Sequence, residues 1–77
     1  MVDSSQIREH MEVVGADGAH VGVVDKVEGD RIKLTRNDPA AGGQHHYVAL
    51  DLVQDVGGQV RLTQPSDLVR QGWQAAG

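Results

Sequence analysis

Residues 13–34 read V-V-G-A-D-G-A-H-V-G-V-V-D-K-V-E-G-D-R-I-K-L. Two glycine-containing turns, Asp17-Gly18 and Gly29-Asp30, divide this stretch into three short runs rich in Val, Ile and Leu. Asp and Gly tolerate the positive φ angles of tight turns, and β-branched side chains favour strands. The stretch therefore predicts three consecutive antiparallel strands and places the protein in the all-β class.

The second turn also predicts a register. A two-residue type II′ loop at Gly29-Asp30 pairs residues outward from the turn, as Glu28 with Arg31, Val27 with Ile32, Lys26 with Lys33 and Asp25 with Leu34. Strand alternation then sorts the side chains by face. The core side receives Val23, Val27, Ile32 and Leu34. The solvent side receives Lys26, Glu28, Arg31 and Lys33.

Asp25 conflicts with this alternation, because the predicted register places its carboxylate on the apolar face. An unpaired carboxylate is costly there. Two interpretations remain open: a bulge turns Asp25 outward, or the carboxylate accepts hydrogen bonds from nearby loop amides. No second acid or nucleophile lies nearby in the sequence, so a structural role is expected rather than acid–base catalysis.

The remaining strands are expected at His10–Val14, His45–Leu50 and Gln59–Thr63. A loop without regular structure is predicted at Arg36–Gln44, and residues 51–55 are expected to form a bend or a helical turn. Ser4 or Ser5 caps a single helical turn, or the N-terminus runs extended into the first strand. After Pro65, Ser66 is expected to cap a helix over Asp67–Gly72 that carries Val69 and Trp73 on one side.

These elements predict a small, partly open β-barrel of about five antiparallel strands with a short C-terminal helix. The organisation is a flexible N-terminus at residues 1–6, one β domain at residues 7–64, and a helix with a tail at residues 65–77. The chain has 77 residues with no Cys and no Phe. Disulfides and thiolate metal sites are therefore excluded, and so small an aliphatic core predicts a homodimer.

Charge and hydropathy limit the classes of partner that the chain is expected to bind. A formal net charge of −4 argues against a general nucleic-acid binder, which needs a basic surface. No apolar run approaches the roughly 20 residues of a membrane-spanning helix. The first ten residues lack the pattern of a secretory signal. A cytoplasmic protein without membrane insertion is the resulting expectation.

The run H-M-E-V-V-G-A-D-G-A-H-V-G-V-V-D-K-V-E-G-D-R-I-K-L-T-R, followed by H-H-Y-V-A-L-D-L-V and V-R-L, resembles a group of small bacterial proteins of unknown function with the PRC-barrel-like fold. The resemblance covers roughly residues 7–64, and D-G-x-x-V-G-x-V-D at Asp17–Asp25 is its most characteristic piece. It implies an interaction module that docks on other proteins or on its own copies. It carries over no catalytic, cofactor or metal residue.

A basic stripe is the strongest candidate for a binding surface. It contains Lys26, Arg31, Lys33 and Arg36, on or beside one hairpin of an otherwise acidic chain. The alternatives are a solvated outer face and a patch that attracts an acidic protein partner or a second subunit. Trp73 offers a similar choice between packing and anchoring a partner.

The histidines support a weaker, second hypothesis. His45 and His46 are adjacent, so on a strand they point to opposite faces, and no H-x-H or H-E-x-x-H spacing exists. The favoured function is a non-enzymatic interaction or self-association module without a cofactor. The alternative is a small-ligand or metal-binding protein that uses His20, His45 or His46 near Asp25.

Overall fold

A computed structural model describes residues 4–76, and its centre is formed by β1 (Glu12–Val14), β2 (His20–Glu28) and β3 (Arg31–Leu34). Gly29, with a φ of 61°, supplies the left-handed residue of the turn between β2 and β3. The pairs Glu28–Arg31, Val27–Ile32 and Lys26–Lys33 form as predicted. The local turn chemistry therefore set this register correctly.

The predicted pairing of Asp25 with Leu34 is wrong, because the register shifts between Val24 and Lys26 and Leu34 pairs with Val24. Asp25 is the extra residue of a β-bulge, which is one of the two interpretations left open for it. The bulge also corrects the core face: Val24 is completely buried there, and Val23 is only half-buried. An inserted residue reverses the alternation on its strand.

The bulge lies where β2 changes partners. Residues 20–23 pair with β1, and Val24 together with residues 26–28 pairs with β3. A bulge bends its strand and increases the twist, so both halves of the sheet turn toward one core. Asp25 therefore has an architectural role at the bend.

Four further strands complete the sheet: β4 (His45–Ala49), β5 (Val53–Val56), β6 (Val60–Leu62) and the short β7 (Gln74–Ala76). The strand order is β5-β6-β1-β2-β3-β4-β7. Six strands precede the helix and β7 follows it, so the predicted count of five is wrong. The barrel is not closed, because β5 and β7 are separate edges. The sheet is also not purely antiparallel, since β1 and β6 run parallel.

The first strand begins later than expected, for a local reason. β1 begins at Glu12 rather than His10, because His10 has a φ of 68° and Met11 N–H closes a turn onto the Arg8 carbonyl at 3.2 Å. A left-handed residue cannot continue a strand. The N-terminal helical turn forms as a 3₁₀ turn at Ser4–Gln6, and the Arg36–Gln44 loop holds another at Pro39–Ala41.

The strand β5 was missed by the sequence analysis, which expected only a bend or helical turn at residues 51–55. A 3₁₀ turn occupies Leu50–Leu52, and β5 follows it directly. The pairing of β5 with β6 shifts register between Val53 and Asp55. V-Q-D-V therefore does not alternate in the way that a regular strand does.

The core is aliphatic. Its largest fully buried side chains are Val13, Val21, Val24, Ile32, Leu34, Val60 and Leu62. Helix α1 (Ser66–Gly72) packs Val69 onto this cluster, and Trp73 lies against its edge. The inward Val60 and Leu62 and the outward Arg61 agree with the predicted alternation. Within the described chain, no helix is long and apolar enough to cross a bilayer.

The N-terminus of α1 corrects one prediction. Pro65, not Ser66, is the N-cap, and its side chain makes no capping hydrogen bond. Ser66 is the first helical residue, and its backbone N–H and hydroxyl both donate to the Asp17 carboxylate, at 3.3 and 3.2 Å. A residue from the β1–β2 turn thus caps the helix across space.

Candidate functional site

A groove lies between the end of β4 and one side of α1. Its volume is about 470 Å³. We call it the β4–α1 groove. The sheet side is lined by Arg31, Tyr47 and Ala49, and the helix side by Leu68, Gly72 and Trp73. A concave site of this size is large enough for a small ligand or for side chains of a partner.

The sheet side of the groove carries an aromatic ring beneath a cation. The Arg31 guanidinium lies 3.9 Å from the centre of the Tyr47 ring, in cation–π contact. The Tyr47 hydroxyl donates to a Glu28 carboxylate oxygen at 3.3 Å. Stacking fixes the plane of the guanidinium and leaves its N–H groups at the edge, where they can bind a carboxylate.

The helix side is apolar. Leu68 is 49% exposed and is the one exposed large hydrophobic side chain among the described residues. Its neighbour Val69 is buried and holds α1 on the sheet. Trp73 stacks on His46 with ring centroids 3.9 Å apart and an interplanar angle of 14°. The groove therefore joins an apolar wall to a basic one.

The basic stripe predicted from the sequence is only partly gathered at this groove. Arg31 lines it, and Lys33 pairs with Tyr47 on the outer face of the sheet, with Lys26 opposite Lys33. Arg36 lies beyond the far end of β3 from Arg31. Arg31 and Trp73 are the two predicted binding residues that line the groove. We call Lys26, Arg31 and Lys33 the basic face.

The cations of the basic face are not neutralised internally. Over the part of the chain that the structure describes, the ion pairs all involve histidine, and none includes Lys26, Arg31, Lys33 or Arg36. In a chain of net charge −4, carboxylates are abundant enough to have paired with them. The basic face thus keeps its charge available for an external group.

His20 belongs to a separate polar cluster. Its Nδ1 lies 2.8 Å from Glu12 Oε2, and its Nε2 lies 2.5 Å from Asp38 Oδ2. The hydrogen bond to Glu12, followed by that to Asp38, raises the pKa of His20. The hydrogen bond with His20 in turn lowers the pKa of Glu12. This cluster ties the 36–44 loop to β1 and β2, and both ring nitrogens are already used.

The adjacent histidines of β4 face opposite sides of the sheet, as predicted. His45 Nδ1 lies 3.1 Å from the Leu34 carbonyl and 3.9 Å from Asp25 Oδ2. His46 is buried against Trp73, and its buried Nδ1 has no hydrogen-bond partner within the described part of the chain. Burial, with a smaller effect from His45, lowers the pKa of His46.

The structure does not gather the three histidines of the metal hypothesis. His20, His45 and His46 lie in three different environments, and only His45 is near Asp25. Among the described residues, no group of three or more His, Cys, Asp or Glu side chains is arranged to hold a metal ion. The geometry therefore gives that alternative no specific support.

The turn segment at residues 15–18, G-A-D-G, packs closely against the helix. A Cβ built on Gly15 meets the Ser66 backbone N, with Asp17 Oδ1 at 2.7 Å and the Pro65 carbonyl carbon at 3.0 Å. The segment lies directly against the start of α1, and Ala16 N–H donates to the Gln64 carbonyl at 2.9 Å. Sequence reasoning identified Asp17-Gly18 as a turn but missed this docking role, because the helix is 49 residues away.

Tyr47 and Leu68 were also missed as site residues. Tyr47 stood in a predicted strand and Leu68 in a predicted helix, and neither pattern indicates which surfaces meet. The long-range approach of α1 to the end of β4 creates their shared site. Neither residue lies next to a predicted partner-binding residue in the sequence, so no local signal marks them.

Comparison with known proteins places the chain in a family whose function is uncharacterized. No curated protein matches the chain. A family model described as an uncharacterized protein conserved in bacteria matches residues 7–70, a range that includes every groove residue except Gly72 and Trp73. The chain belongs to this bacterial family, DUF2171.

Proposed function

We propose that the protein is a non-enzymatic interaction module that binds a partner protein through the β4–α1 groove and the basic face. One observation carries this proposal: cations without an ion-pair partner among the described residues lie beside a groove whose other wall holds the exposed Leu68 and the partly buried Trp73. Binding hot spots commonly combine an aromatic or Arg anchor with a concave apolar surface. The charged groups favour an acidic partner.

The PRC-barrel resemblance is compatible with this function, because interaction modules are what it implies. The likeness to that superfamily remains a hypothesis, as the sheet is not closed. A cytoplasmic location also stays a prediction. Homodimer formation is a separate prediction, which light scattering on the purified chain tests.

Photo-crosslinking in the source cells tests the proposal. p-Benzoylphenylalanine replaces Leu68 in the groove, and the same group replaces the exposed Gln54 on the opposite edge strand as a matched control. We expect a discrete adduct from position 68 that is lost with Arg31→Glu and absent from position 54. Mass spectrometry identifies the captured protein, and its direct binding is then measured with purified components.

Two results contradict the proposal. Identical adducts from both positions show capture that is independent of the groove. An adduct between two copies of this chain assigns the groove to self-association rather than to a different protein.

A further inference from the structure

We infer that the β4–α1 groove accepts an extended acidic segment of its partner, which inserts one apolar side chain against Leu68 and Trp73. This inference rests on the proposed function and narrows it. It names the chemistry of the bound element, and three features of the groove support it.

The first feature is an uncovered backbone donor. Leu50 N–H donates to the Asp30 carbonyl at 2.9 Å, so even-numbered residues at this end of β4 direct their N–H groups to β3. By alternation, the Ala49 N–H points away from β3. β7 pairs only with His45, His46 and Tyr47. The Ala49 N–H therefore points toward the groove, where a carbonyl or carboxylate oxygen of a bound chain can accept it.

The second feature is the shape of the apolar wall. Leu68 and Trp73 are four and nine residues after Gln64, and all three line the groove. A volume of about 470 Å³ holds inserted side chains but not a folded surface. An extended segment that anchors one Leu, Phe or Trp side chain matches this shape.

The third feature is the position of the cations. Arg31 lines the groove, and Lys33 and Lys26 continue the basic face across the outer side of the sheet. Two carboxylates lie near Arg31, because Asp30 lines the groove beside it and Glu28 is its cross-strand partner. The acidic positions of the segment are therefore expected over β3 and β2, and its apolar anchor between β4 and α1.

A protein segment is favoured over a nucleic acid for two reasons. The basic face offers few cations in a chain of net charge −4, whereas phosphate-backbone binding needs a broad basic surface. The apolar wall gives an aliphatic or aromatic side chain a defined position. A nucleic acid is kept as an outcome of the test.

The experiment begins with selection from a phage-displayed library of random dodecapeptides against the full chain. We expect an enriched pattern with one or two large apolar residues flanked by Asp and Glu. A basic pattern, or no enriched pattern, overturns the inference. A dT12 oligonucleotide that binds more tightly than the selected peptides also overturns it.

Binding of the selected peptide is then measured through the fluorescence of Trp73, the single Trp of the chain. We expect Arg31→Glu to weaken binding about tenfold or more, and Leu68→Gln to weaken it by a similar factor. The exposed Arg61→Glu on β6 is the matched control and should change affinity by less than about twofold. Equal effects of Arg31→Glu and Arg61→Glu would show general charge attraction without a groove.

The two proposals can fail separately. If position 68 crosslinks to a partner but the peptide selection fails, the result supports the interaction module and contradicts binding of an extended acidic segment. If an acidic peptide is selected but no crosslink forms in cells, the result supports the inferred chemistry of the groove and contradicts the proposal that it binds a partner protein in the cell.

Discussion

Helix α1 is joined to the sheet in two different ways. At its N-terminal end, Ser66 donates two hydrogen bonds to Asp17, and the backbone passes over Gly15 without space for a Cβ. On the side that faces the β4–α1 groove, Leu68 is half exposed, and after the helix Trp73 covers a histidine whose Nδ1 has no hydrogen-bond partner among the described residues. The N-terminal end is closed and its polar groups are satisfied, whereas the groove side is open.

This difference separates structure from function. Closed junctions with satisfied polar groups stabilise a fold, whereas exposed apolar groups are retained where they serve binding. The N-terminal end should therefore be sensitive to small substitutions. The groove side should tolerate them in stability and show their effect in binding.

Gly15→Ala is expected to have the largest effect. The added Cβ would meet Asp17 Oδ1 at 2.7 Å and the Pro65 carbonyl carbon at 3.0 Å, and it also clashes with the Ser66 backbone. The helix start must move, at a cost of about 2–3 kcal/mol in the free energy of unfolding. Urea denaturation measures the loss. Gly58→Ala is the control, since a Cβ there meets nothing within 4 Å, and an equal loss in both variants would contradict the close packing.

His20→Gln comes next, because the imidazolium holds both Glu12 and Asp38. The raised pKa of His20 means that the folded state binds the proton more tightly than the unfolded state. The added stability is fully present below the ordinary histidine pKa of about 6.5, and it is lost as pH rises through the folded pKa. Since the cluster is partly exposed, we expect a cost of about 1 kcal/mol at pH 6.

Urea midpoints from pH 5 to 9 check this dependence. The parent chain should lose stability across the window above pH 6.5, and His20→Gln should flatten that part of the profile. His10→Gln is the matched control because His10 is exposed. If His20→Gln leaves the pH profile of stability unchanged, the cluster of His20, Glu12 and Asp38 does not contribute to the pH dependence.

His46→Phe is expected to stabilise the protein by about 0.5–1 kcal/mol, because it keeps an aromatic ring against Trp73 and removes a buried nitrogen without a partner. Because the pKa of His46 is lowered, its contribution to stability depends on pH in the opposite direction to that of His20. Its contribution is present above the ordinary histidine pKa and is lost as pH falls through the folded pKa. The variant should therefore keep more of its stability at pH 5 than the parent. Denaturation that is equally acid-sensitive in both proteins would show that burial does not lower the pKa of His46 in the folded state.

The sequence predicted the hairpin well and the junctions poorly. Gly29-Asp30, flanked by alternating residues, sets the register of β2 and β3 through contacts within a few residues. The bulge at Asp25 was foreseen as an alternative, because a carboxylate on the core side is costly. Strand β5 was missed because V-Q-D-V lacks alternation, and its pairing depends on the register shift.

The site was harder to predict than the fold. Arg31 and Trp73 were identified from charge and size, and the structure places both at one groove. Tyr47 and Leu68 join them only because α1 crosses the end of β4, a contact between segments about 20 residues apart in sequence. Lys26 and Lys33 belong to the adjoining face, and Arg36 is separated because β3 ends before it. Local patterns do not contain this information.

Leu68→Gln should have the smallest effect on stability, and it tests most directly whether the groove side of α1 differs from its buried side. Leu68 is 49% exposed, so replacing it by a polar side chain of similar length should change the free energy of unfolding by less than about 0.5 kcal/mol. Val69→Gln, one position along the same helix, buries an amide in the core and should cost several-fold more. Urea denaturation of the two variants compares the faces of α1 directly. If Leu68→Gln is as destabilising as Val69→Gln, Leu68 is a packing residue and the groove side of α1 is not a binding surface.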